Sequence, residues 1–298
     1  MLDWNTPKLS DKEWIEKCVK EAQYIGSDAA FANIYLLRSK YNIKVTYYKD
    51  LLIRYYEGLG NRKGYTFPLG RKDVLSALYA IEQDAKEMNR PLEFCFVTEE
   101  QKEILENTFA GRTESSSDAG DYDYIYGQPE LSLLSGRTYH KKKNHVSKFK
   151  RTYEDYMFCE IGNGNLDDVM LIEDEWYYDR LQQGDTSAMK EYEAIREAVD
   201  NFEELSLSGG IIYANNVPVA MTIASYINDA AVDIHFEKAV GEYAVNGGFA
   251  AINQMYASTL KDVKYINREE DINIPGLRKA KESYHPKFML KKYGVRVK

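Results

Sequence analysis

The sequence predicts an α/β protein of the α+β kind, built as two tandem copies of one small unit. Three observations predict it. The length of 298 residues suits about two domains at roughly 150 residues each. Hydrophobic residues at 44% and charged residues at 29% are ordinary for a globular chain, which excludes a disordered chain, a collagen and a coiled coil. One order of elements (helix, antiparallel hairpin, strand, helix, strand) also occurs twice, although no residue-level repeat accompanies it. The boundary is expected at the basic segment described below, giving domains 1–130 and 131–298.

In the first half, Asp11 to Tyr24 reads as a helix with Trp14, Cys18 and Val19 on one face and Ser10 as its cap. Lys44 to Tyr48 and Leu51 to Tyr56 are rich in β-branched and aromatic residues and form a hairpin about Lys49-Asp50. Tyr65 to Gly70 is a third extended piece. Asp73 to Met88 places Val74, Leu78, Ile81 and Ala85 at helical spacing, and Pro91 closes it. Leu92 to Val97 is a strand, Glu99 to Phe109 a helix, and the small polar residues Gly111 to Asp121 a surface loop. Tyr122 to Gly127 is a further strand.

The second half opens on a basic helix whose Tyr139, Val146, Phe149 and Tyr153 share one face. Thr186 to Leu205 is a helix with Met189, Tyr192, Ile195, Ala198 and Phe202 on its apolar side. Gly210 to Ala214 and Val217 to Ala224 pair about Asn215-Asn216, a turn signal because asparagine tolerates positive φ. Ala231 to Ala239 is a strand, Asn246 to Leu260 a helix, Lys264 to Asn267 a short strand and Ile274 to Tyr284 a short helix.

Charge is uneven. No acidic residue lies between Leu131 and Tyr153, while Arg137, Lys141, Lys142, Lys143, Lys148, Lys150 and Arg151 lie within that stretch. Without those seven the net charge of −8 would be −15. One concentrated basic segment in an acidic chain attracts phosphates through steering and counterion release; a solvated helix face is the plainer account of it. Apolar runs fall short of the ~20 residues that span a bilayer, and Met1 to Asn5 carries no signal-peptide pattern. With three scattered cysteines, Cys18, Cys95 and Cys159, a reducing cytoplasm is expected.

Chemistry is concentrated in Ala231 to Ala239. On a strand, Asp233, His235 and Glu237 share one face at a period of two. Burial and mutual repulsion there would shift their protonation toward that of a general base. An edge strand whose polar face meets water is the alternative. A third reading, one histidine and two carboxylates holding iron or zinc, finds no second ligand set, so no metal and no resident cofactor are expected. Gly247-Gly248 opens the next helix, whose N-terminus suits a phosphate or an oxyanion. Beyond it, Asn267 ends a strand, and Arg278, Lys279 and Lys281 follow Pro275-Gly276 on a helix able to face an anion.

The run from Asn267 to Tyr284, together with His235-Phe236-Glu237-Lys238-Ala239 and Gly136-Arg137 to Tyr153, resembles the family of proteins similar to the C-terminal domain of bacterial phosphatidylglycerol lysyltransferase. The resemblance covers nearly the whole chain. It implies two tandem GNAT-like domains of the N-acetyltransferase type, with mixed central sheets flanked by helices, as in the Fem peptidyltransferases. It also implies transfer of an aminoacyl group from aminoacyl-tRNA to an amine or hydroxyl. By position, Glu237 and His235 then stand at the reaction centre, Glu237 as base, with Asp233 beside them and Gly247-Gly248 at a phosphate cradle. Arg137, Lys141, Lys142, Lys143 and Lys148 would hold the donor's phosphates, with Asn267, Arg278 and Lys281 near the site. The glycine-rich loop of acetyl-CoA users is absent between Tyr243 and Ala251, a departure that counts against acetyl-CoA while leaving aminoacyl-tRNA or another acyl-CoA as donor. The alternatives are a non-catalytic module binding nucleic acid or anionic lipid, and an acyl-CoA-dependent N-acyltransferase whose basic segment meets the phosphates of coenzyme A.

Overall fold

A computed structural model describes residues 2–185 and 188–298. The chain forms two compact units: Met1–Tyr124 with Glu269–Lys279 and Phe288–Lys298, and Ile125–Arg268 with Ala280–Lys287.

In the first unit, β1 (Lys44–Tyr48) and β2 (Leu51–Glu57) form the expected hairpin. Lys49 and Asp50 take φ of 49° and 65°, the paired positive values of a tight turn that matches strand twist. The sheet continues through β3 (Lys63–Thr66), β4 (Leu92–Val97), the chain's final strand Tyr293–Val297, and β5 (Thr113–Ser117) at the edge. Only β3 and β4 run parallel. The helices of this unit are α1 (Lys12–Ala22), α2 (Phe31–Leu36), α3 (Leu75–Glu87) and α4 (Glu99–Thr108). Leu78 and Ile81 of α3 and Leu105 of α4 bury against Leu51, Ile53, Tyr65, Phe94 and Val295.

This unit also buries a cluster of four charges. Arg54 pairs with Asp28 at 3.0 Å, and Lys292 lies 2.6 Å from Asp123 and 3.2 Å from Asp28. Two cations facing two carboxylates balance, the condition for keeping charge out of water. Burial pushes the Asp28 carboxyl up, but Lys292 and Arg54 more than offset this and hold it below its ordinary value.

In the second unit, β6 (Asp123–Gly127), β11 (Tyr265–Asn267), β10 (Ala231–Ala239), β9 (Val217–Asn228), β8 (Ser208–Ala214) and β7 (Met157–Glu160) lie side by side in that order. Only β10 and β11 are parallel within this run. Asn215 and Asn216 turn the β8–β9 hairpin with φ of 52° and 60°. The helices are α5 (Gln128–Leu133), α6 (His140–Thr152), α7 (Leu166–Gln182), α8 (Ala188–Asp200), α9 (Gly241–Val245) and α10 (Gly248–Thr259); α11 (Pro275–Glu282) contributes its last turn. Ala251, Ile252 and Met255 of α10 pack with Phe149 of α6 on Ile212, Val219 and Ala239. Each unit is thus a mixed sheet, antiparallel save for one parallel pair and flanked by helices. This is the GNAT-like architecture.

The structure departs from the sequence reading at several points. Thr113 to Ser117, read as loop, is a strand; it pairs through its backbone with Tyr293–Val297, and its exposed serines carry no alternation to read. Residues 166–182 form a long helix that no single apolar stripe in the sequence marks. Helix α1 begins at Lys12 after a turn of 3-10 helix over Leu9–Asp11, so Ser10 lies inside that turn rather than capping α1. A single cut at residue 130 does not describe the units, because the last strand of the chain completes the first sheet. The expected helix start at Thr186 lies outside the described residues.

Candidate active site

Strand β10 has the limits its alternation sets, but it carries a bulge. Ile234 pairs with Ala224 and Phe236 with Ile223, so His235 is the extra residue. The strict period of two is interrupted, and the three ionisable groups fall into two settings. Asp233 and His235 lie together in the core: His235 Nδ1 is 3.4 Å from Asp233 Oδ2 and Nε2 is 2.8 Å from Ser225 Oγ. The imidazole is 1% exposed, with both ring nitrogens engaged. Glu237 instead receives Arg268 Nη2 on Oε1 at 2.6 Å and Asn253 Nδ2 on Oε2 at 2.9 Å.

The parallel pairing of β10 with β11 lasts three residues and ends at Asp233 opposite Asn267. Asn267 is fully buried there. Strand β10 continues to Ala239, while the chain beyond β11 turns through Arg268. Arg268 is therefore the first side chain beyond the point where the strands part. Its guanidinium lies 4.7 Å from the Tyr284 ring centre and 5.8 Å from that of Tyr126, distances of cation–π contact. Lys281 is buried and donates its ammonium to the Arg268 carbonyl at 2.5 Å, while Tyr126 Oη donates to the Lys281 carbonyl at 2.7 Å. Lys281, expected to face an anion, thus clamps the strand end.

Helix α6 is seated by buried Val146 and Phe149. Arg137, Lys141, Lys143 and Lys148 are exposed and form no ion pair among the described residues. Lys142 differs. Its Nζ lies 3.7 Å from the Tyr284 ring centre, on the ring that also meets Arg268. Burial first, and the Arg268 charge second, push its ammonium down to about 8, against the pull of Glu237.

Gly247 and Gly248 have a steric reason for being glycine. A Cβ on Gly247 would stand 2.4 Å from the His145 carbonyl oxygen, and φ there is 102°; a Cβ on Gly248 would stand 2.8 Å from the Tyr243 oxygen. The start of α10 is packed against the backbone of α6. Arg278 belongs to the first unit, where it grips Asp271 at 2.8 and 2.9 Å and Asn273 at 2.8 Å.

Of the residues expected in the site, the structure brings Glu237 and Lys142 into one cluster. It sets Asp233 and His235 in the adjoining strand core and leaves the other α6 cations on the surface. Arg268, Tyr284, Tyr126, Asn253 and Ser225 complete these groupings without having been singled out. Arg268 and Tyr284 lie in the run that resembled the family, but nothing in their spacing announces a partnership with Glu237 or Lys142.

Two mixed sheets, each with one short parallel pair and flanked by helices, place the chain in the tandem GNAT-like fold class. The chain belongs to the family of the phosphatidylglycerol lysyltransferase C-terminal domain, whose model matches residues 20–296. A conserved protein of unknown function from Bacteroides thetaiotaomicron is 30% identical, with a TM-score of 0.94 and 100% of both chains covered. L-PGS from Bacillus licheniformis is similar in fold at 14% identity, with a TM-score of 0.66 over 96% of this chain and 92% of that one. No curated protein matches the sequence. Among the described residues no helix is long and apolar enough to cross a membrane.

Proposed function

We propose that the second unit transfers an aminoacyl group from aminoacyl-tRNA to an amine or hydroxyl acceptor by direct attack. The separation of β10 from β11 beside Arg268 carries this reading. A strand edge released from its ladder offers backbone groups to an extended donor, and a fixed guanidinium next to it suits the oxyanion of a tetrahedral intermediate. Glu237, steadied by Asn253, is assigned to holding that guanidinium, because both carboxylate oxygens already accept a donor. The sequence had pointed to Glu237 as the base. The donor's phosphates are assigned to Arg137, Lys141, Lys143 and Lys148. The three free cysteines suit a reducing cytoplasm.

The test is thermal stabilisation of the purified protein by charged tRNA, uncharged tRNA, acetyl-CoA and a longer acyl-CoA, followed by transfer to amine and hydroxyl acceptors. A ligand at 100 times its dissociation constant adds about 2.7 kcal/mol if it binds only the folded state. Stabilisation by charged tRNA that fades at high salt, with release of uncharged tRNA on adding acceptor, is expected. Stabilisation by a coenzyme A ester alone overturns the donor assignment. Salt-sensitive binding without turnover would instead favour a binding module for nucleic acid or anionic lipid, the reading to which the exposed cations of α6 point by themselves.

A further inference from the structure

The transfer proposed above requires a proton acceptor, and the obvious candidates beside the parted strands are occupied. Glu237 carries Arg268 on one oxygen and Asn253 on the other. His235 is closed into the core between Ser225 and Asp233. Tyr284 lies buried beneath two cations, and burial pushes its hydroxyl well above the ordinary range. Lys142 is different in kind. It is the α6 lysine that turns onto Tyr284, it is half-buried, and its amine makes no hydrogen bond or ion pair among the described residues. The charged and titratable groups that face it are Arg268 at the end of β11, Glu237 on β10 and Tyr284 after α11.

We infer that Lys142, taken from the sequence as one more phosphate-binding cation, is the proton acceptor and donor for acyl transfer in the second unit. This inference rests on the transferase reading. The acceptor nitrogen or oxygen attacks the ester carbonyl of the donor and gives its proton to the neutral Lys142 amine. The tetrahedral intermediate collapses, the ester C–O bond breaks, and the Lys142 ammonium returns the proton to the departing hydroxyl oxygen. No other reactant is needed. A lysine withdrawn from water beside a fixed guanidinium, without a carboxylate of its own, is held partly neutral near pH 8, where an amine can accept a proton in one half of the reaction and return it in the other.

Two measurements on the full chain test this. The first is competitive labelling of lysines with a trace of acetic anhydride between pH 7 and 10, read by peptide mass spectrometry. Lys142 is expected to gain reactivity about two pH units below the ordinary range of a lysine ammonium, and reactivity that rises only in that ordinary range overturns the inference. This reading needs no donor. The second is the pH profile of transfer. The wild-type rate should fall below about pH 8. Lys142→Gln should lose roughly 10²-fold or more and with it that limb, and Lys142→Arg should behave alike because a guanidinium does not release its proton. An active wild type with Lys142→Gln within a few-fold of it and the same limb overturns the role of Lys142 alone. A wild type that transfers nothing from any donor overturns the transferase reading, and the inference falls with it.

Discussion

Arg268 Nη2 lies 2.6 Å from Glu237 Oε1, with both side chains about nine-tenths buried and 31 positions apart in sequence. A pair so enclosed contributes mainly by being complete. Removing one partner leaves a charge with neither water nor a counter-ion. Glu237→Gln and Arg268→Gln should each destabilise the protein, and the double variant should lose less than their sum. The expected coupling is about 1–3 kcal/mol in denaturant unfolding. Additivity within about 0.5 kcal/mol would show that the pair is not a unit. Each single variant should also lower transfer roughly 10²-fold, the scale of a lost oxyanion donor.

Gly247→Ala should cost more than about 2 kcal/mol, since it forces an L-residue into a left-handed conformation and drives a methyl into the His145 carbonyl. A glycine kept only to cradle phosphate would instead lose ligand affinity while leaving the unfolding midpoint in place, so the denaturant curve decides between the two.

Alanine at Arg137, Lys141, Lys143 and Lys148 together should leave stability within about 0.5 kcal/mol, because these side chains meet water. Affinity for tRNA should drop, and the dependence of binding on salt should flatten by about one logarithmic slope unit per lost duplex phosphate contact. Unaltered affinity across the salt series would remove α6 as the nucleic-acid surface.

Glu173 on α7 is buried, and its Oε2 atom has no hydrogen-bond partner among the described residues. Desolvation, outweighing the attraction of Lys238, pushes its carboxyl up to about 7 from an ordinary 4.5. Between those values the folded chain keeps a proton that the unfolded chain releases. Stability therefore falls as pH rises from about 4.5 to 7, and the loss is complete above that. Glu173→Gln should abolish this component and raise stability at pH 8 by about 1–3 kcal/mol. Parallel pH–stability curves for the variant and the parent would exclude Glu173 as its source.

Lys292 neutralises two buried carboxylates of the first unit at once. Lys292→Met should cost about 3–5 kcal/mol, the range for an orphaned buried charge. Adding Asp123→Asn should recover part of the loss. A cost below about 1 kcal/mol would mean that Arg54 alone suffices.

Much of this fold was legible. Leu92–Val97 and Ala231–Ala239 emerge with the limits their composition and flanking residues set, and both hairpins turn at the pairs read as turns. The failures share a cause: they concern segments whose conformation is decided at a distance. Thr113–Ser117 is a strand because Tyr293–Val297 lies beside it, and a run of serines gives no local sign of this. Helix α7 spreads apolar residues around its circumference, including the adjacent Met170, Leu171 and Ile172, so no stripe marks it. In the candidate site the residue types on β10 were legible, but the bulge at His235 was not. Nor did anything in the alternation of lysines distinguish Lys142 from Lys141 and Lys143. That difference arises from Tyr284, more than a hundred residues downstream.

The strand Tyr293–Val297 sits between β4 and β5, and this sets a timetable for biosynthesis. A ribosome delivers β1 to β5 early, but the slot between β4 and β5 stays unfilled until residue 297 has cleared the exit tunnel. Meanwhile both flanking strands present unsatisfied backbone edges. The first sheet therefore cannot close until the residues of the second unit have been made, and until then the facing edges of β4 and β5 stay open to pairing with another chain.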